Sequence, residues 1–259
     1  MDFLDLESES LVNPREMVRL FTSAHGVTEK DLSLPPVAVI SFSPRVLKTL
    51  VQRAGGKRMM PWHGRHRRLY VADTPNGPVL LAQSPYGASG AVILLEELFA
   101  FGVRRTVFVG YCGSIQDDIG IGEIVLPTRA VREEGTSYHY LPPTDACGPD
   151  EVLFRRLDRW LEEHGVVARK GPVWTTDALY RETKTKVTKY RADGVFAVDM
   201  ETAAVFAVGK VRMRSVVAVL LVSDRLSSGV WAPDFFDARL RARERFIVES
   251  ILKWIEQET

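Results

Sequence analysis

Apolar positions along the chain fall into two patterns. Continuous apolar runs of strand length occur at 37–42 (VAVISF), 105–110 (RTVFVG), 195–200 (VFAVDM) and 216–224 (VVAVLLVSD). Unbroken apolarity suits strands covered on both faces. Between them lie segments of helical period. One covers 89–101, with Leu94, Leu95, Leu98 and Phe101 inward; one runs from Pro149 to about His164, with Val152, Leu153, Leu157, Trp160 and Leu161 inward. Another covers 201–210, and a closing helix runs from Phe235 to about Glu256, with Phe236, Leu240, Ile247, Ile251 and Trp254 inward. A further helix is expected after Pro44. RLYVAD (68–73) and PVLLAQ (78–83) flank Pro75-Asn76-Gly77 and predict a hairpin. GEIVLPTRAV (122–131) predicts a strand in which Pro127 marks a bulge or an edge. Strands alternating with helices predict an α/β fold, a three-layer α/β/α sandwich around a mixed central sheet.

The first 35 residues are expected to form a helical appendage to a single domain spanning 36–259. Asn13 caps, Pro14 starts, and Met17, Val18, Leu20 and Phe21 make the apolar side of a helix ending near His25 and Gly26. The basic stretch Arg53–Arg68 contains Gly55, Gly56, Pro61 and Gly64 and is expected to be mainly loop. No internal repeat, low-complexity tract or interdomain linker interrupts the pattern.

Composition narrows the function classes. With 46% hydrophobic and 26% charged residues, the chain has the mix of a soluble globular protein. Thirty-four Lys and Arg against 33 Asp and Glu leave a net charge of +1, so nothing global favours nucleic acid or an acidic membrane. No apolar run reaches the roughly 18 residues of a membrane span. The start, MDFLDLESES, lacks the basic residues and apolar segment of a signal peptide, so a cytoplasmic location is expected. Two cysteines, Cys112 and Cys147, make neither a disulfide framework nor a four-cysteine metal site. His63 and His66 flank Gly64 but lack partners for zinc, and no metal site is expected. No phosphate-binding P-loop or GxGxxG is present.

In open α/β sheets ligands collect beyond the carboxyl ends of strands. Three such ends carry unusual residues: Gly110-Tyr111-Cys112-Gly113-Ser114, Asp199-Met200-Glu201 and Ser223-Asp224-Arg225. A carboxylate after a buried run is expensive unless it is paired or faces a ligand. Each also has a plainer role. Glu201 suits the first turn of a helix, Asp224 a turn cap, Gly110 and Gly113 a tight turn, and Cys112 a small buried residue.

At these residues the sequence resembles the nucleoside phosphorylase and nucleosidase superfamily, which contains purine nucleoside phosphorylase and uridine phosphorylase. FGVRRTVFVGYCGSIQDDIGIGEIVLP (101–127) is similar to its glycine-centred strand–loop–strand. AVDMETAAVFAV (197–208) resembles its Glu-Met-Glu helix start with Asp199 for the first Glu, and LLVSDRL (220–226) matches its VVSD-type ending. The likeness covers about 37–255. It implies cleavage of an N-glycosidic bond, no metal or organic cofactor, and a homo-oligomer (dimer, trimer or hexamer).

Carried over, Glu201 would bind the ribose 2′- and 3′-hydroxyls, Met200 would pack on the sugar, and Asp224 would protonate a purine at N7. Uridine phosphorylases match less well at Asp224, which favours a purine. Asp199, Ser223, Gly87, Tyr111, Cys112 and Gly113 fall among the expected substrate-binding positions. TTDALYRET (175–183) falls where the family lines the base pocket, with Tyr180 for stacking and Arg181 as a polar contact. The chemistry agrees. Breaking the ribosyl C–N bond builds positive charge on the sugar and negative charge on the base. Asp224 then needs a raised pKa, which Arg225 would oppose if it faced the site.

The phosphate-binding pattern departs from the family. Arg45 in SFSPRV (41–46) and Ser89 in Pro85–Gly90 are the phosphate candidates. Phe108 stands where the family has an Arg, and Tyr111 where it has a Ser or Thr. Arg53, Arg58, Arg65 or Arg67, of this subunit or a neighbour, would have to rebuild the site. The expectation is therefore a phosphorylase using inorganic phosphate as co-substrate to give free base and ribose 1-phosphate. Hydrolysis by water is the first alternative, and a non-catalytic nucleoside-binding module the second. His139 is expected near the sugar or at an interface, with a structural role as the plainer reading.

Overall fold

The computed structural model describes residues 4–23, 26–59 and 68–257. The continuous apolar runs form strands β1 (Val37–Ser41), β5 (Arg105–Ser114) and β9 (Ser215–Arg225). Their side chains alternate between two cores. Ala38, Ile40, Phe108, Leu220 and Val222 enter one, while Val39, Val107, Val109, Val219 and Leu221 enter the other. Period-2 geometry with apolar residues at every position requires cover on both sides. Helices α3 (Ala88–Ala100) and α6 (Thr202–Val211) cover the first face. Helices α2 (Pro44–Ala54), α4 (Glu151–Glu163) and α7 (Ala238–Gln257) cover the second. The result is the expected α/β/α sandwich.

The remaining strands are β2 (Lys57–Arg58), β3 (Leu69–Thr74), β4 (Gly77–Gln83), β6 (Ile124–Glu133), β7 (Ala168–Thr176), β8 (Ala197–Asp199) and β10 (Ala232–Pro233). The sheet order is β10-β9-β6-β7-β8-β5-β1-β4-β3-β2, with a further pairing of β9 to β5. That pairing closes β5, β9, β6, β7 and β8 into a ring within a mixed sheet. Helix α5 (Lys184–Ala192) sends Val187 into a small third core with Ile115, Trp174, Val198 and Leu226.

The hairpin forms as expected, with Thr74 opposite Gly77. The Pro127 irregularity appears as a register shift between Pro127 and Arg129. Several expectations need correction. β5 continues to Ser114, so Gly110–Ser114 is strand rather than turn. β7 begins with the polar residues Ala168-Arg169-Lys170 and has no apolar signature in that half. Val152 faces solvent, and Phe236 is 83% exposed because α7 starts only at Ala238. Helix α1 (Pro14–Ser23) buries Val18 against the α3 side, while Leu20 and Phe21 point outward. Arg58 lies in the short strand β2, and Arg53 pairs with Glu249 at 2.7 Å. His25, Pro61, His63, Gly64, Arg65, His66 and Arg67 lie outside the described residues. Among the described residues no helix is long and apolar enough to cross a membrane.

Candidate active site

Strand order brings the two acidic segments together. Gly113 of β5 pairs with Val198 of β8 on one side and with Asp224 of β9 on the other. With about 4.8 Å between neighbouring strands, the flanking residues lie about 10 Å apart, the scale of a sugar with its base. Gly113 leaves room there for the ends of two side chains. A Cβ would stand 2.6 Å from Leu226 Cδ1 and 2.9 Å from Asp224 Oδ2.

Helix α6 begins directly after β8, and Asp199 organises the junction. Its Oδ1 accepts from the Thr175 hydroxyl at 2.7 Å, and its Oδ2 accepts from the Thr202 N–H at 2.8 Å and the Glu201 N–H at 3.3 Å. Asp199 therefore holds the helix start, with both oxygens engaged by the protein. Burial raises its pKa, and the Thr202 and Thr175 hydroxyls oppose that rise. Glu201 is buried, and its Oε1 accepts from the Gly87 N–H at 2.7 Å. Gly87 takes a φ of 83°, a left-handed value that suits glycine at the N-terminus of α3. Burial, then repulsion from Asp199, pushes the Glu201 carboxyl up to about 8.

A cavity of about 520 Å³ opens beside this pair. Tyr86, Gly87 and Ser89 line it from the β4–α3 connection, and Met200 from the start of α6. Thr136 and His139 line it from a short 3-10 turn after β6. Asp177, following β7, completes the wall and accepts from the Gly135 N–H at 2.8 Å. His139 thus belongs to the cleft lining.

On the other flank, Asp224 is half-buried. The Ser223 hydroxyl donates to its Oδ1 at 2.8 Å and the Trp231 indole N–H to its Oδ2 at 3.0 Å. Burial raises its pKa, with the Ser223 and Trp231 bonds opposing. Arg225 Nη2 donates to the Asp117 carbonyl at 3.4 Å, and among the described residues its buried Nε has no hydrogen-bond partner. Two other side chains lie within electrostatic reach of both flanks. Burial and then Asp224 and Asp199 push the Cys112 thiol well up, which leaves it an inert buried group. Burial followed by Asp224, Asp199 and Glu133 pushes Glu182 up to about 7.

Arg45 and Tyr111 form a separate network. Arg45 Nε donates to Glu244 Oε2 at 2.7 Å, and Arg45 Nη2 donates to the Tyr111 hydroxyl at 2.9 Å. The Tyr111 hydroxyl donates to the same Glu244 oxygen at 2.5 Å. Phe42 lies between Tyr111, which it meets edge-on, and Tyr86, to which it is tilted, with ring centroids at 5.8 and 5.1 Å, and so links this network to the cavity wall. Phe108 is buried in the core beneath α3.

Tyr180 and Arg181 are not brought into the cleft of the single chain. They sit on a 3-10 turn over Leu179–Arg181, and the Tyr180 side chain is 96% exposed. The adjacent Glu182 approaches the acids instead. Trp231 and Glu244 were not singled out in the sequence, and Asp177 and Glu182 lie in the segment 175–183 expected to line the base pocket without having been named individually. For Glu244 there was a signal. It lies four residues after Leu240 on the apolar stripe of α7, where a carboxylate needs a partner. Among the described residues no group of three or more His, Cys, Asp or Glu side chains could hold a metal ion.

Comparison with known proteins places this site in context. The family model described as the phosphorylase superfamily matches residues 36–253. A guanosine phosphorylase of Halorubrum lacusprofundi is 28% identical over 165 residues, covering 64% of this chain and 68% of the relative. A uridine phosphorylase of Treponema pallidum is 32% identical over 171 residues, covering 62% and 66%. A DeoD-type purine nucleoside phosphorylase of Bacillus cereus is 30% identical over 146 residues, covering 55% and 62%, so the matches span about two thirds of these relatives. The fold matches the Vibrio fischeri uridine phosphorylase with a TM-score of 0.78 at 22% identity, covering 88% of this chain and 95% of that one. It also matches the Toxoplasma gondii purine nucleoside phosphorylase in complex with immucillin-H, with a TM-score of 0.80 at 20% identity, covering 99% and 100%.

Proposed function

The chain belongs to the phosphorylase superfamily, and from that premise we propose that it cleaves the N-glycosidic bond of a purine-type nucleoside. The supporting observation is the pairing of Gly113 with both Val198 and Asp224, which brings the segment leading into Asp199 and Glu201 and the segment ending at Asp224 to either side of one strand.

Glu201 holds the sugar. Fixed by the Gly87 N–H, its ionised form accepts from the ribose 2′- and 3′-hydroxyls and favours positive charge on the ring as the bond breaks. Met200 packs against the sugar from the cavity wall. Asp224 is the acid. Burial raises its pKa, so a proton is available to the departing base, and Arg225 does not counter this because it faces Asp117. A purine offers N7 as the atom to receive that proton. Asp199 and Ser223 position the two acids, Asp199 through the start of α6 and Ser223 through its hydroxyl. No metal or organic cofactor is called on in this scheme, and the relatives' names bring inorganic phosphate as the acceptor of the sugar. Whether phosphate or water takes the sugar depends on charge around the cleft. A homo-oligomer in the cytoplasm belongs to the same proposal, and sedimentation measures the first part.

The test is base release from a panel of purine and pyrimidine nucleosides, followed by chromatography. Purine base should appear with wild-type protein and fall sharply with Asp224→Asn. If no nucleoside is cleaved, a nucleoside-binding module takes the place of this function.

A further inference from the structure

We infer that the chain carries a second ligand site, away from the cleft described above, that takes a nucleoside phosphate. It is a cavity of about 820 Å³, within the size range of small-molecule sites. Strand parting makes it. β6 pairs with β9 at Ile124 and Val125 and then continues beside β7, away from the start of β9. The segment before α4 bridges the gap. The Ala130 N–H donates to the Cys147 carbonyl at 2.8 Å, and the Asp150 N–H donates to the Val216 carbonyl at 3.0 Å. The cavity opens between this bridge, the start of α4 and the end of α6. Met200 of the first cleft precedes α6, and Lys210 of this cavity lies in its last turn, so about 15 Å of helix separates the two.

Three departures from local rules meet here, and such departures gather at functional sites. The register shift between Pro127 and Arg129 leaves Thr128 and Arg129 exposed on the cavity wall, as bulges re-aim side chains. Met213 takes a φ of 51°, the one non-glycine residue with a positive φ among the described residues. It follows the cap of α6, a position that favours glycine, and its side chain is 86% exposed at the cavity. Arg214 donates from Nη1 to the Met213 carbonyl at 3.2 Å, while its Nε is buried with no hydrogen-bond partner among the described residues. A buried donor left in that state is unfavourable, and a turn of the guanidinium towards an anion in the cavity would satisfy it.

The lining gives the chemistry of the ligand. Arg129 of β6, Arg155 of α4, Lys210 of α6 and Arg214 before β9 reach one cavity from separate elements, against the two carboxylates Asp150 and Glu151. The whole chain has a net charge of +1, so this excess is local. Lys210 meets Asp145 at 3.2 Å and Arg155 meets Glu151 at 3.8 Å, in solvent-exposed pairs worth little beside a bound dianion. Asp150 serves the protein. Its Oδ1 accepts from the Leu153 N–H at 2.8 Å and its Oδ2 from the Ser215 hydroxyl at 3.2 Å. Clustered arginines select a phosphate group. Glu151 is exposed and offers oxygens to sugar hydroxyls. Phe154, Phe206 and Met213 supply apolar surface for a planar base. A phosphate, hydroxyls and an aromatic body together describe a nucleoside phosphate. None of these residues takes part in the N-glycosidic cleavage proposed above, so the two readings stand or fall separately.

The experiment is calorimetric titration of the full chain with adenosine 5′-monophosphate and, in parallel, with inorganic phosphate. The nucleotide should bind, and Arg129→Gln/Arg214→Gln should weaken it by about tenfold or more while Glu201→Gln leaves it unchanged. Binding that falls in Glu201→Gln and not in the arginine variant places the nucleotide in the first cleft and overturns the inference. Inorganic phosphate binding as tightly as the nucleotide, and lost in the same arginine variant, means an adventitious ion only and also overturns it. So does the absence of nucleotide binding. Hydrogen exchange on the wild type decides the matter even if the arginine variant fails to fold. The nucleotide should protect amides in 126–130 and 209–216. Protection confined to 84–90 and 199–202 contradicts the inference. Protection of 209–216 that rises with protein concentration and ignores the nucleotide would show a second copy filling the cavity instead.

Discussion

Glu201 and Asp224 have different surroundings, and the difference predicts different responses to substitution. Glu201 is the more deeply buried, and the proton on its carboxyl is held more tightly in the folded state than in the unfolded one. Stability from that proton is therefore full below the ordinary carboxylate range and is lost as pH rises through about 8. Glu201→Gln removes the dependence. Its melting temperature should gain on the wild type as pH rises towards about 8 and level off beyond, in a thermal-denaturation series. Its kcat/KM should fall by about 10–150-fold, the range for one charged hydrogen bond of about 1.5–3 kcal/mol. Asp224→Asn keeps the Ser223 and Trp231 neighbours but removes the acid, so turnover should drop by about 10²–10⁴-fold. In the wild type, turnover should decline as pH rises through the raised Asp224 value, because only the protonated form delivers a proton. A pH–rate profile rising through that region would count against Asp224 as the acid. Gly113→Ala pushes a methyl group into Leu226 and Asp224, and should cost about 1–3 kcal/mol of stability together with turnover.

At the scale of elements, strands β5, β8 and β9 do the placing. β5 is shared, pairing with β1 along its first half, β8 at its end and β9 throughout. A shift of one strand therefore moves one acid relative to the other. β7 supports β8 from the far side, and Gly171 lets the Phe196 ring lie across it, where a Cβ would come within 2.3 Å of that ring. Gly171→Ala should destabilise by about 1–3 kcal/mol in chemical denaturation. Phe196→Ala in the same chain should recover part of that loss, giving a coupling between the two sites. Strictly additive effects would show that the ring is not what β7 accommodates.

For the whole molecule, one sheet carries both cores. Leu220 and Leu221 are neighbours in sequence and enter opposite layers. Leu220→Ala and Leu221→Ala should each cost about 2–5 kcal/mol and move one calorimetric transition without splitting it. Two transitions would mean that the layers unfold separately. Much of this architecture was legible in the chain. Continuous apolarity at 37–42, 105–110 and 216–224 marks buried strands, because alternate residues must both find cover. The helical periods, the hairpin and the Pro127 shift follow from equally local rules. The resemblance singled out Glu201, Met200 and Asp224, and the position of Met200 in the cavity wall follows from the strand-to-helix junction at Asp199. Tyr180 and Arg181 were legible only as residue types, and which side of a three-residue turn meets the cleft is not a periodic property. Local periodicity sets which residues are buried, since burial of a strand or helix repeats every two or about 3.6 residues. Only the tertiary structure decided that Gly113 lies between Val198 and Asp224, that Arg225 reaches the Asp117 carbonyl, and that Arg45 is held by a carboxylate 199 residues away. Strand order and ion pairing arise between distant segments, and no local pattern encodes them.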